Sequence, residues 1–123
     1  MAKTILKVNG VFIQDPSDLE YQRYDMDSED GSGRNQQGLM LRDRVASKVK
    51  LVCKFPPLKG DDVSALLQAI DNVFFELEYP DAYTGKRRTM TCYVGDRTIP
   101  AYSIDKDTGE ILWNGVSANF IER

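Results

Sequence analysis

From Leu39 to Phe55 the chain reads LMLRDRVASKVKLVCKF, and its apolar residues fall on alternate positions. Leu39, Leu41, Val45, Val49, Leu51, Cys53 and Phe55 share one parity, while Arg42, Arg44, Lys48, Lys50 and Lys54 share the other. Successive side chains of a strand point to opposite faces, so this period of two gives one apolar face and one basic face. Asp43 and Ser47 interrupt the first face, and Met40 and Val52 the second. Unbroken, the stretch would run about 55 Å at ~3.3 Å per residue, against the usual ~5–6-residue strand. The pattern therefore predicts a strand that bends near 43–47 or projects beyond its domain. Just before it, residues 27–38 (DSEDGSGRNQQG) form the most polar segment of the chain. Together they predict a long protruding hairpin over about 19–55 with a mobile tip at 27–38.

The same reading places the remaining elements. Residues 4–13 (TILKVNGVFI) predict a first strand with Leu6, Val8 and Phe12 on one face, and Gly10 a bend or bulge within it. Asp15-Pro16-Ser17-Asp18 is a turn, and residues 19–26 are a second strand with Tyr21 and Tyr24 on opposite faces. Pro56-Pro57 ends pairing, because neither can donate to a ladder. A helix follows over about 61–72, with Gly60 as its N-cap and Asp61 and Asp62 opposing the positive end of its dipole. Val63, Leu66, Leu67 and Ile70 have the spacing of a single apolar stripe, which must lie on a sheet. Residues 73–79 (VFFELEY) predict a strand burying Val73, Phe75, Leu77 and Tyr79. A turn over 80–85 returns the chain through 87–94 as a hairpin. A short edge strand at 99–104 bears Pro100, 105–109 is a turn, and 110–121 closes the chain. The whole is expected to be one mainly β domain over 1–123, an antiparallel β-sandwich or small barrel with one flanking helix.

Composition narrows the chemistry. The chain has 123 residues, 41% apolar and 28% charged, which is ordinary for a globular domain. It has no run of apolar residues long enough to span a membrane. The opening MAKTILKVNG has no apolar signal core, so synthesis and folding in a cytoplasm are expected. Histidine is absent, which removes the commonest general base and the usual zinc ligand. Cys53 and Cys92 belong to no CxxC pair and are expected to be buried free thiols. Phosphate-binding glycine motifs are lacking. Residues 25–31 (DMDSEDG) open like a calcium loop, but Gln36 stands where a bidentate Glu is required. Residues 105–110 (DKDTGE) read as a β-turn. Glu76 and Glu78 share a face and are expected to be solvated charges opposite arginines. No metal, no cofactor and no enzymatic activity are expected. The net charge of −3 argues against a dedicated nucleic-acid binder, so the basic face of 42–54 should meet solvent or an acidic protein surface.

Several segments together resemble a known group. ILKVNGVFIQDPSDLEY, GRNQQGLMLRDRV, PPLKGDDVSALLQAI, FFELEYPDAYTGKRRTMTCYVGDRTIPAY and LWNGVSANFIER are similar to a small uncharacterised family encoded among the tail genes of tailed phages and prophages of Gram-positive bacteria. The order of elements also resembles the phage tail-tube fold, which distal-tail and baseplate hub proteins share. That fold is a β-sandwich with one flanking helix and a long hairpin whose loop contacts the next subunit. The resemblance implies a virion structural protein, made in the bacterial host cytoplasm and located in the tail. It implies a homo-oligomeric ring, hexameric in that fold, touching neighbouring tail proteins and passing DNA through its lumen as non-specific cargo.

On that reading the subunit interface comprises Asp27, Ser28, Glu29, Asp30, Gly31, Arg34, Asn35, Gln36, Leu39, Leu41, Arg42 and Arg44. The inner part of the long strand, Val45 to Phe55, should then build the core, while its outer part, Leu39 to Arg44, leaves with the loop. The alternative is a monomeric β-sandwich that binds a ligand or carbohydrate at exposed Tyr83, Tyr93, Tyr102 or Trp113.

Overall fold

The computed structural model describes residues 3–27, 33–95, 97–104 and 106–123, with the backbone alone at Tyr102. The strands are β1 (Lys7–Val8), β2 (Val11–Phe12), β3 (Asp18–Asp27), β4 (Gly33–Arg34), β5 (Met40–Leu41), β6 (Arg44–Lys54) and β7 (Leu58–Lys59). Helix α1 (Gly60–Ala69) follows, then β8 (Phe75–Asp81), β9 (Lys86–Val94), β10 (Ala101–Ile104), β11 (Ile111–Trp113) and β12 (Ser117–Glu122). Among the described residues the protein is mainly β, every paired strand antiparallel, with one short helix. A seven-stranded sheet has the order β2-β1-β8-β9-β12-β6-β3, a three-stranded sheet the order β10-β11-β7, and among the described residues β4 and β5 pair only with each other.

Alternation dictates the core. Phe75, Leu77 and Tyr79 of β8, Met90 and Cys92 of β9, Ala118 and Phe120 of β12, and Val49, Leu51 and Cys53 of β6 are buried on one face of the large sheet. Val63 and Leu66 of α1, Ile70 at its C-cap and Leu58 of β7 join the same cluster, so the helix stripe and the small sheet cover that face. The helix begins one residue earlier than its aspartates suggest, with Lys59 rather than Gly60 at the cap, and it stops at Ala69 instead of reaching 72.

The first predicted strand is in fact a tight hairpin. Asn9 and Gly10 both have positive φ (49° and 84°), as a two-residue turn of matching twist requires, and Lys7 faces Phe12 across it. Phe12 therefore turns outward, 39% exposed, instead of sharing a buried face with Val8. Val73 precedes β8 and is 80% exposed, so the buried set begins at Phe75. The closing segment divides at Gly115 (φ 70°), with β11 entering the small sheet and β12 lying between β6 and β9.

The large sheet curls. Arg23 of β3 lies over the ring of Tyr83, in the turn after β8, at 4.3 Å. Three strands separate β3 from β8 in the sheet, which would hold them about 19 Å apart if it were flat, at ~4.8 Å per step. The same curl sets Tyr21 of β3 beside Asp81 at the end of β8, with Tyr79 buried next to them. The edge strand is thus clasped from its inner side.

Candidate functional site

The predicted hairpin is present as β3 and β6, paired from Asp18↔Lys54 to Met26↔Ala46. Beyond that point the ladder shifts, so that Asp27 faces Arg44 and Val45 is the extra residue. The long alternation breaks here, over 42–43, between β5 and β6. Val45 is 71% exposed, which corrects its assignment to the core. The bulge puts it past the last residue pair that the helix and small sheet can cover, and burial begins instead at Val49.

Past the bulge the chain forms a small arm. Gly33 and Arg34 pair with Leu41 and Met40. Asn35 builds the turn between them: its Oδ1 accepts the Gln37 and Leu39 amides, both at 3.0 Å, while its own N–H donates to the Leu39 carbonyl at 2.9 Å. Arg34 Nη1 donates to the Gly38 carbonyl at 2.8 Å, and Gln36 sits exposed at the tip. Among the described residues the arm has no partner strand in the large sheet, and its apolar residues Leu39 (60% exposed), Met40 and Leu41 are exposed.

Arg42 ties the arm to the sheet. Its Nε donates to Asp27 Oδ2 at 2.9 Å and its Nη2 to Asp25 Oδ2 at 2.8 Å. Asp25 also accepts from Ser47 Oγ at 2.7 Å and has Arg44 at 3.7 Å. The Ser47 and Arg42 hydrogen bonds hold the Asp25 carboxyl below its usual range despite partial desolvation, and the two aspartates, Asp27 foremost, push Arg42 up. Arg42 and Arg44 thus complete an internal ion cluster instead of extending a free basic face, and Lys48 donates to the Arg123 backbone oxygen at 2.6 Å. Of the residues assigned to an interface from sequence, Asp27, Arg34, Asn35, Gln36, Leu39, Leu41, Arg42 and Arg44 all lie on the arm or at its root. Ser28, Glu29, Asp30 and Gly31 lie outside the described residues.

A family model covers residues 3–123 of the chain. The chain belongs to DUF6711, a family of unknown function. No curated protein matches it in sequence.

Glu78 is bound to Arg87 at 2.9 Å and has Lys7 at 4.0 Å, the cross-strand pairing expected of solvated charges. Among the described residues no group of three or more His, Cys, Asp or Glu is placed to hold a metal ion, and no helix is long and apolar enough to cross a membrane. Cys53 and Cys92 are buried free thiols, both pushed by burial up to about 12. Of the aromatics considered for ligand binding, Tyr83 carries Arg23, Tyr93 meets Phe74 edge-on at 6.0 Å and Trp113 packs against the core, while the Tyr102 side chain lies outside the described residues.

Two features escaped the sequence reading. The Arg42 cluster needs the β3–β6 register, although Asp25 and Asp27 on one parity opposite Arg42, Arg44 and Ser47 were its visible signal. The clasp of Tyr21, Arg23, Asp81 and Tyr83 had none, because it depends on the curl. Within it, Tyr21 Oη, Tyr79 Oη and Asp81 Oδ2 are buried without a well-formed hydrogen bond. Burial pushes the Tyr21 phenol up, and the facing Asp81 carboxylate adds to this.

Proposed function

We propose that the protein is a structural subunit of a phage or phage-like tail, assembling into a ring through its sheet edges and the hairpin arm. The observation that carries this is the arm itself, a two-stranded tip standing off the sheet and presenting Leu39, Met40 and Leu41 to solvent. An isolated two-stranded hairpin is marginal in water, and one whose apolar side chains lack cover is a surface waiting for a partner. Strand β3 adds ten residues at the end of the sheet order, an edge able to take another strand. Sequence resemblance to phage tail proteins supplies the biological setting: a virion tail, a ring that is hexameric in that fold, and DNA as non-specific cargo.

Light scattering and negative-stain imaging of the purified protein test the reading. Rings or higher oligomers are expected at high concentration. A deletion of 28–37 should keep the β spectrum yet lose assembly. A wild-type chain that stays monomeric and never enters virions overturns the reading.

A further inference from the structure

Two Asn-Gly pairs occur in nearly the same local sequence, Val8-Asn9-Gly10-Val11 and Trp113-Asn114-Gly115-Val116. Such a pair is open to a reaction of its own. With no Cβ in the way, the glycine nitrogen can reach the preceding carboxamide carbon and close a five-membered ring. Asn35, Asn72 and Asn119 are followed by Gln36, Val73 and Phe120, whose side chains obstruct that approach. Asn9 and Asn114 are both exposed, so water reaches either one. Sequence and exposure leave the two sites equal.

The fold separates them. Asn9 sits in the tight β1–β2 turn with φ 49° and grips the backbone of β8 twice. Its N–H donates to the Glu76 carbonyl at 2.8 Å, and its Oδ1 accepts the Glu76 N–H at 3.0 Å. Swinging that carboxamide toward Gly10 breaks the second bond and strands the Glu76 N–H. Asn114 is held by its backbone alone, its N–H donating to the Pro100 carbonyl at 2.8 Å. Among the described residues no group bonds its carboxamide, and none accepts the Gly115 N–H. Gly115, at φ 70°, is the pivot between the small sheet and the large one, and beyond it the Val116 carbonyl accepts the Phe55 N–H at 2.9 Å. The attacking nitrogen and the carbon it attacks are therefore both unengaged.

We propose that Asn114 is a site of spontaneous deamidation in the folded protein, and that Asn9 is protected from it. The Gly115 nitrogen gives up its proton and bonds to Asn114 Cγ. The Cγ–Nδ2 bond breaks, and Nδ2 leaves with that proton as ammonia. Water then opens the ring at either carbonyl, giving aspartate or an isoaspartate whose main chain runs through Cβ and Cγ. Each event adds one negative charge to a chain of net charge −3. The isoaspartyl product also lengthens the main chain by one carbon between the Pro100 and Phe55 hydrogen bonds, where the two sheets meet.

Ageing the full chain at mildly alkaline pH, followed by mass-resolved peptide mapping, tests the proposal. In native protein the Asn114 peptide should gain one dalton about tenfold faster than the Asn9 peptide, because a hydrogen bond must first break at Asn9. In concentrated urea the two rates should converge, since the hold on Glu76 is gone and the local sequences match. An isoaspartyl methyltransferase should label the same Asn114 peptide. Asp30-Gly31 can isomerise but cannot change mass, so it does not enter the reading. Asn114→Gln, at an exposed position, should abolish the gain there and leave the Asn9 rate unchanged, because glutamine would need a six-membered ring. Equal native rates at the two sites overturn the proposal, as does an Asn114 that converts in urea and not in the folded protein.

Discussion

Strand β6 and the arm that precedes it share one alternating sequence and meet opposite fates. From Val49 to Phe55 the apolar parity is buried beneath α1 and the small sheet. From Leu39 to Val45 residues of the same parity stand in solvent. The dividing point is the bulge at Met26/Asp27, where the ladder slips by one residue. Alternation therefore reports that a strand has two unlike faces, and says nothing of what covers either one. Cover comes from elements distant in sequence, and here it ends before Val45.

Thiol chemistry should separate the two regions most sharply. Cys53 and Cys92, raised from 9.0 to about 12, hold roughly a thousandfold less thiolate than a free cysteine near neutral pH. Native protein should thus leave both unlabelled by an aromatic disulfide reagent, while Leu41→Cys adds one fast-reacting thiol. Equal labelling rates for all three would erase the distinction. Truncation comes next. Leu51→Ala, in the fully buried row, should cost about 2–5 kcal/mol in denaturant unfolding, whereas Leu41→Ala should stay within about 0.5 kcal/mol. Similar losses at both sites would place the arm in the folding core.

The smallest expected effect is on pH. Asp25 has its folded pKa below its ordinary value of 3.8, so its support for the arm is complete above that value and is lost as pH falls through the lowered one. The Arg42 Nη2–H resonances, which report on the bond to Asp25, should hold steady down to about pH 5 and shift or broaden only below about pH 4, without change in the signals of β12. Arg42→Ala should remove those resonances and leave the sheet unaltered. A transition shared by arm and sheet would mean that the cluster supports the whole fold.

Much of this architecture was readable from the chain. Phe75, Leu77 and Tyr79 announced their strand by alternation, and Val63, Leu66 and Ile70 their helix by its stripe, because each pattern is local. The arm residues Leu39 and Leu41 were readable as surface because a polar loop adjoins them. Asn9-Gly10 carries a strong turn signal, but the apolar run on either side of it has the pattern of a single strand and hides the hairpin. Arg42 was read as part of a continuous basic face, since its partners Asp25 and Asp27 precede it by 17 and 15 residues and only the register joins them. The clasp lay beyond reach altogether, because sheet curvature is a sum of small twists along many strands.

That clasp has a mechanical consequence. Arg23 on Tyr83 and Tyr21 beside Asp81 pin the edge strand at its midpoint, so what lies beyond Arg23 behaves as a lever with a fixed fulcrum. Four residues of β3, about 13 Å at ~3.3 Å each, carry the load out to the bulge, and the Arg42 cluster stiffens that elbow. By lever geometry, a small change of twist at the fulcrum would displace the apolar tip more than it displaces the strand beside the clasp.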